Sequence, residues 1–488
     1  MKKPGEKRRK KTGIEGLDKT LTMGIPEGHI VLLTGKSGTG KTVLAMQLLF
    51  ERWREYGDPG LYMAVTEPFT KAIQNIESMD FFDKETLKQG VNFTDIRSMI
   101  ELIGLDKEKE IDKNDIEEFL DSIKTVVSDT KSKNIVIDSI TAIGYLIDDV
   151  ELLRYFIFRL GVIMGQENVT VFLTSESKDG STPFGTEDFI SDGILELDYE
   201  YGEQSVIRKL RVAKMRGVDF QSNSAYFDIS SKGLTVYPKT PLNRIFSETS
   251  YENRVKTGVP KLDEMVGGGY PEGHIILLTG NTGTGKTTIG MQFIQQGIKE
   301  NENCLFINLE EPLEQVNKTA ESHGWKFNKH AEEGKLIYIS PELIDTYPDK
   351  FINQVLSKID QNNINRVFFD SVSALPSSGL SEDELRQLLL QLNSGFKERG
   401  VTAILTHLSS GMFSSDSEKI FGSTRASDLR LSSLSDGIIV LRYFERESKV
   451  AKAINVLKMR GSDHDKGIYR IMVTDEGIEI GEILEGVV

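Results

Sequence analysis

Two stretches of this 488-residue chain combine glycine, lysine and threonine at spacings that suit a phosphate ligand. Gly280 to Thr288 reads GNTGTGKTT, follows the apolar run HIILLT and leads into the amphipathic segment IGMQFIQQGI; GKSGTGKT, at Gly35 to Thr42, lies 245 positions earlier (280 − 35). In a turn of this kind, backbone N–H groups and the N-terminus of the new helix wrap a triphosphate. The lysine reaches the β/γ oxygens and the hydroxyl after it ligates Mg²⁺. The pattern therefore assigns Gly35, Ser37, Gly38, Thr39, Gly40, Lys41 and Thr42 to one nucleotide. It assigns Gly280, Thr282, Gly283, Thr284, Gly285, Lys286, Thr287 and Thr288 to another. ATP or GTP is the expected ligand, with Thr42 and Thr287 facing the metal.

Carboxylates and cations recur at matching places. Asp138 and Asp370 each end an apolar run, NIVIDS and RVFFDS, where a Mg²⁺ site of this type keeps an aspartate. Glu310 and Glu311 follow an earlier apolar run, CLFINL, the second strand of its half, where a base could orient a water or hydroxyl against the γ-phosphate. The first half has Thr66 and Glu67 there, one carboxylate fewer. Side chains leaving a strand alternate, so at most one of each pair should face the phosphate. Late in each half come AKMRG and LKMRG, whose Lys214 with Arg216, and Lys458 with Arg460, could reach a neighbouring copy's phosphate as a cationic finger. Such a finger implies a ring.

These residues need a common scaffold. PEGHIVLLTG and PEGHIILLTG are turns feeding nearly all-apolar strands, which suit a parallel sheet covered on both faces. Further strands follow at GLYMAVTEP, CLFINLEEP, NIVIDS, RVFFDS, GILEL and GIIVL. Strand, loop, helix and strand in this rotation predict an α/β fold. It comprises two tandem domains, each a mostly parallel, doubly wound sheet with ligands at the C-terminal strand edge. Residues 1–11, with seven Lys or Arg, are expected to be a solvated basic tail. Domains are expected over 12–237 and 254–488, joined by a Pro-rich polar linker over 238–253.

A net charge of −15 argues against a protein that coats nucleic acid, and Cys304 as the sole cysteine excludes an intrachain disulfide or a cysteine zinc cage. No run approaches the length of a membrane span, and MKKPGEKRRKK lacks the apolar block of a secretory signal, so a cytoplasmic protein is expected.

Taken together, PEGH before each loop, EEP at Glu310, FFDSVSAL, the tandem KMRG and LSSLSDGIIVLRY resemble the RecA-like ATPases, and among them the double-domain KaiC family of circadian-clock proteins. The resemblance implies a homohexamer with ATP and Mg²⁺ at subunit interfaces, an N-terminal ATPase ring, and a C-terminal ring that phosphorylates itself. It also implies a signalling or timing role with a protein partner. The family's paired phospho-acceptors fall on Ser432 and Ser433, Ser-Ser here where Ser-Thr is usual, with Ser427 a nearby related hydroxyl. Asp188 and Phe189 stand at that place in the first half, so self-phosphorylation is expected in the second half alone. Thr66 replaces a family glutamate, which leaves Glu67 as the base and predicts slow or altered hydrolysis in the first half. The sequence stops at Val488, short of the family's tail for its activator, so a KaiA-type partner is not expected. The competing readings are a DNA-dependent motor of the same fold and a nucleotide-state scaffold without kinase activity. The mixed charge of Ser409 to Ser435 disfavours the motor, since a DNA channel needs a positive excess and stacking aromatics.

Overall fold

The computed structural model describes residues 8–22, 24–96, 99, 111–177, 185, 187–201, 206–239, 252–340, 348–378, 382–408, 434–446 and 449–484. The chain divides into two compact units, Met1–Lys239 and Thr240–Val488. Most of the expected linker, 240–251, lies outside the described residues.

Among the described residues, the large sheet of the first unit has nine strands. Its order runs from Val91–Asp95 through Gly60–Ala64, Asn134–Asp138, Thr170–Glu176, Ile30–Gly35 and Gly193–Tyr201 to Val206–Met215, Ala225–Ser230 and Gly233–Tyr237. The first six pair in parallel and the last three antiparallel. The second unit repeats this order: Leu336–Ile339, Asn303–Asn308, Ile364–Asp370, Thr402–Leu408, Ile275–Gly280, Gly437–Arg446, Lys449–Met459, Tyr469–Thr474 and Gly477–Ile483. The expected mostly parallel sheet is therefore present twice, and the antiparallel ends are additions that the local pattern did not reveal.

Burial on both faces explains the unbroken apolar strands. In Ile30–Gly35, Val31 and Leu33 face the helix Lys41–Tyr56 through its Leu44, Leu48 and Leu49. Ile30 and Leu32 face Lys113–Asp129 and Val150–Gln166. Ile276 and Leu278 likewise meet Lys286–Lys299, while Ile275 and Leu277 meet Pro348–Asn362 and Glu382–Glu398. A sheet layered in this way carries its phosphate loop at the middle of the C-terminal edge.

The basic segment differs from expectation. Arg9–Lys10 forms a short strand on Ile25–Pro26, and Lys10 Nζ binds Asp58 and, at 3.0 Å, Glu27. Arg9 donates to Gly217 O at 2.8 Å. Order thus begins before Thr12, because Lys10 meets two carboxylates and Arg9 a backbone carbonyl supplied from elsewhere in the chain. The same 245 offset carries Arg9–Lys10 to Arg254–Val255, which pairs with Tyr270–Pro271.

A buried arginine supports this entry segment in each unit, from different elements. Arg52, on the helix, is 1% exposed and donates to Asn134 Oδ1 at 2.6 Å and to Lys10 O at 3.4 Å. Burial lowers its pKa to about 10, so it stays charged at neutral pH. Arg366 comes from the strand, at the place of Asn134, and donates to Lys256 O at 2.6 Å and to Glu300 and Glu302. Gly297 occupies the helix position of Arg52; a Cβ there would lie 2.6 Å from Arg366 Cδ.

Candidate nucleotide and metal site

Each phosphate loop links the central strand to a helix. Gly40 and Gly285, with φ of 100° and 108°, end the loops in the left-handed region just before the helices start at Lys41 and Lys286. Gly35 and Gly280 are required for a different reason: a Cβ would lie 2.1 Å from Leu197 O and 2.2 Å from Leu441 O. Thr39 and Thr284 are buried and close the turns by donating to Lys36 O at 2.9 Å and Asn281 O at 2.8 Å. Ser37, Gly38, Thr282 and Gly283 are exposed at the loop tips, and Thr288 is half-buried in the first helical turn.

The lysines fold back over the loops. Lys41 Nζ donates to Gly35 O at 2.7 Å and Lys36 O at 2.9 Å; Lys286 Nζ donates to Gly280 O and Asn281 O, both at 2.9 Å. Burial lowers both pKa values, opposed by Glu176 and Asp138 around Lys41 and by Asp370 and Glu310 around Lys286. Each ammonium is thus held among carbonyls that a triphosphate oxygen would replace with full charge.

The residues that the sequence suggested for a metal lie side by side. Thr42 Oγ1 donates to Asp138 Oδ2 at 2.7 Å, and Thr287 Oγ1 donates to Asp370 Oδ2 at 2.7 Å. Among the described residues, no cluster of three or more His, Cys, Asp or Glu could hold a metal by itself. One hydroxyl beside one carboxylate suits Mg²⁺, which keeps waters and relies on phosphate oxygens for the rest of its shell. Two further donors escaped the sequence reading: Thr174 Oγ1 reaches Asp138 Oδ1 at 2.5 Å, and Thr406 Oγ1 reaches Asp370 Oδ1. Tyr62 adds a third hydroxyl at Asp138 Oδ2, 2.6 Å away. The peptide bonds after Asp138 and Asp370 are both cis.

The halves diverge at the bases. Strand alternation does not govern Glu310 and Glu311, because the strand ends at Asn308, whose Oδ1 accepts from both their N–H groups at 3.3 Å. Glu310 accepts from Ser371 Oγ. Glu311 is half-buried; burial, then Asp370 and Glu310, raise its pKa. In the first unit, exposed Glu67 pairs instead with Lys71 at 3.1 Å, one helical turn on. Glu176, beside Gly35 in register, is a carboxylate near Lys41 that the sequence reading missed. Leu408 holds its place beside Gly280.

The cationic pairs lie at the other end of the sheet. Met215 pairs with Gly193, which pairs with Val31 at the start of the loop strand; Met459, Gly437 and Ile276 repeat this. Four residues of strand, about 13 Å, separate that level from Gly35 or Gly280. Lys214 donates to Asp188 O at 3.1 Å, and Arg216 meets Asp192 at 3.2 Å. Lys458 donates to Ser435 O at 2.7 Å, and Arg460 meets Asp436 at 3.6 Å. Burial and the adjacent arginine lower the pKa of both lysines. Neither pair reaches its own unit's loop. Ser427, Ser432 and Ser433 lie outside the described residues.

Duplicated loops, hydrogen-bonded Thr–Asp pairs and covered parallel sheets define a protein of two RecA-like P-loop units. Comparison with known proteins gives the same answer more narrowly. A family model described as "ATPase: KaiC" matches residues 10–241 and 255–485, and the chain belongs to this KaiC ATPase family. It is 31% identical over 487 residues to the circadian clock oscillator protein KaiC of Parathermosynechococcus lividus, covering 98% of this chain and 86% of that one. It is 32% identical over 480 residues to the protein of the same name from Prochlorococcus marinus, covering 96% and 91%. KaiC 1 of Synechocystis is 30% identical over 478 residues, covering 96% and 88%. No helix among the described residues is long and apolar enough to cross a membrane.

Proposed function

We propose that this chain is an ATP-hydrolysing homohexamer with ATP at its subunit interfaces, whose C-terminal unit transfers a phosphoryl group to its own Ser432 or Ser433. It acts in the cytoplasm as a signalling or timing regulator. The observation that carries the reading is the asymmetry of the two sites. Both have loop, lysine, threonine and aspartate, but Glu310 is fixed beside Ser371 and near Lys286 in the second alone.

In this mechanism Lys286 leaves Gly280 O for the γ-phosphate, and Thr287 with Asp370 would hold Mg²⁺. The metal would supply positive charge to offset that of the phosphates. Glu310 takes the proton from the serine Oγ as that oxygen bonds to the γ-phosphorus, and the bond to the β-bridging oxygen breaks, releasing ADP. The partner subunit's Lys458 and Arg460 stabilise the charge that develops. In the N-terminal unit, Glu67, released from Lys71, orients water instead.

Native mass with and without ATP, followed by phosphosite mapping on the same sample, tests this. A hexamer phosphorylated at Ser432 or Ser433 is expected. Bound ATP with no phosphate on either serine overturns the kinase assignment, and a monomer in ATP overturns the assembly.

A further inference from the structure

Asp138 and Asp370 are equivalent, yet they are not equally occupied. Tyr62 lies two residues before the end of its strand, is 3% exposed, and gives its hydroxyl to the Asp138 oxygen that Thr42 also uses. The matching residue of the second unit is Phe306, whose ring packs on Phe368 at 4.7 Å and carries no donor. Asp138 thus accepts from Thr42, Thr174 and Tyr62, while Asp370 accepts from Thr287 and Thr406 among the described residues.

A carboxylate offers about four acceptor positions. Three hydroxyls leave Asp138 about one for a hydrated cation; two leave Asp370 about two. Each donated hydrogen also draws charge from the oxygen that must attract the metal. Acidic neighbours are present at both sites, Glu310 and Glu311 near Asp370 and Glu176 near Lys41, so the number of donated hydroxyls is what distinguishes the two carboxylates.

We propose that Tyr62 is a positioning residue that weakens the hold of the N-terminal site on Mg²⁺, so that the two sites of one chain fill at different Mg²⁺ concentrations, the C-terminal one first. The proposal rests on the reading that each loop takes Mg·ATP. It gives the halves of a duplicated protein separate metal thresholds through one hydroxyl.

The test is equilibrium binding of a fluorescent ribose-labelled ATP to the full chain as Mg²⁺ is titrated. A Lys286→Ala background isolates the first site, and a Lys41→Ala background isolates the second. Tyr62→Phe keeps the ring and removes the donor. It should lower the Mg²⁺ concentration for half-saturation of the first site about three- to tenfold. Phe306→Tyr should raise that of the second by a similar factor. An unchanged or increased Mg²⁺ requirement in Tyr62→Phe, in a chain whose parent shows Mg²⁺-dependent binding, overturns the proposal alone. A parent with no Mg²⁺-dependent binding at either loop overturns the functional reading and this proposal with it.

Discussion

The Ser371 hydroxyl donates to Glu310 Oε1, and the matching serine of the first half does something else: Ser139 Oγ accepts from Ala142 N at 3.3 Å and caps a helix. Where Thr66 removes the acid, the serine turns to its helix. Where Glu310 is present, the serine fixes a carboxylate at the entrance to the Asp370 site. A base held by a buried neighbour is oriented before substrate arrives.

Glu310→Gln should retain nucleotide binding and slow serine phosphorylation by about 10²- to 10⁴-fold. Ser371→Ala, which frees the carboxylate without removing it, should cost about tenfold or less. Intact-mass time courses after ATP addition measure both.

The two loops are separate sites, so each lysine should account for one nucleotide. Lys41→Ala and Lys286→Ala should each reduce bound nucleotide from about two per chain to about one, and the double variant to about none. Chromatography of nucleotide released by denaturation gives the count.

The distance between Arg216 and its own loop predicts complementation. In a Lys286→Ala background, chains carrying Lys41→Ala and chains carrying Arg216→Ala should each be inactive. In the proposed ring, a one-to-one mixture would place an intact loop against an intact finger at roughly a quarter of the interfaces, and ATP hydrolysis should return to about that fraction. Steady-state phosphate release in the mixture is the measurement.

Burial raises the pKa of Asp370 against the pull of Thr406 and Thr287. The folded chain therefore holds this proton more tightly than the unfolded chain. The stability it confers is greatest at low pH and declines as pH rises from about 4 through the raised value. Mg·ATP favours the charged carboxylate, so nucleotide binding should strengthen across the same window. Asp370→Asn should remove the slope, raise the nucleotide-free melting temperature at pH 7 by about 2–4 °C, and abolish Mg²⁺-dependent binding at Gly280–Thr288. Thermal scans at several pH values, with and without Mg·ATP, check each part.

The parallel half of each sheet was legible because strands covered on both faces are almost wholly apolar, and the loops because glycines at fixed spacing admit few other uses. Arg9–Lys10 was not legible: two cations carry no period, and their partners Asp58 and Gly217 lie far along the chain. The same holds for the donors around Asp138. Thr174 and Tyr62 reach it from neighbouring strands 36 and 76 residues away, a relationship that only the sheet order creates. Glu310 and Glu311 were found, but their orientation was not, because Asn308 turns the chain out of strand geometry just before them.

The arginines beneath the entry segments come from different elements in the two copies. The first half has Arg52 on its helix above Asn134; the second has Gly297 and Arg366 at these places. The halves therefore cannot trade parts. A chimera with the second unit's helix in the first would lose the Arg52 guanidinium, which donates to Lys10 O and Asn134 Oδ1. The reciprocal chimera would force two guanidiniums into the space that Gly297 keeps open for one. The two copies are similar in outline but not interchangeable.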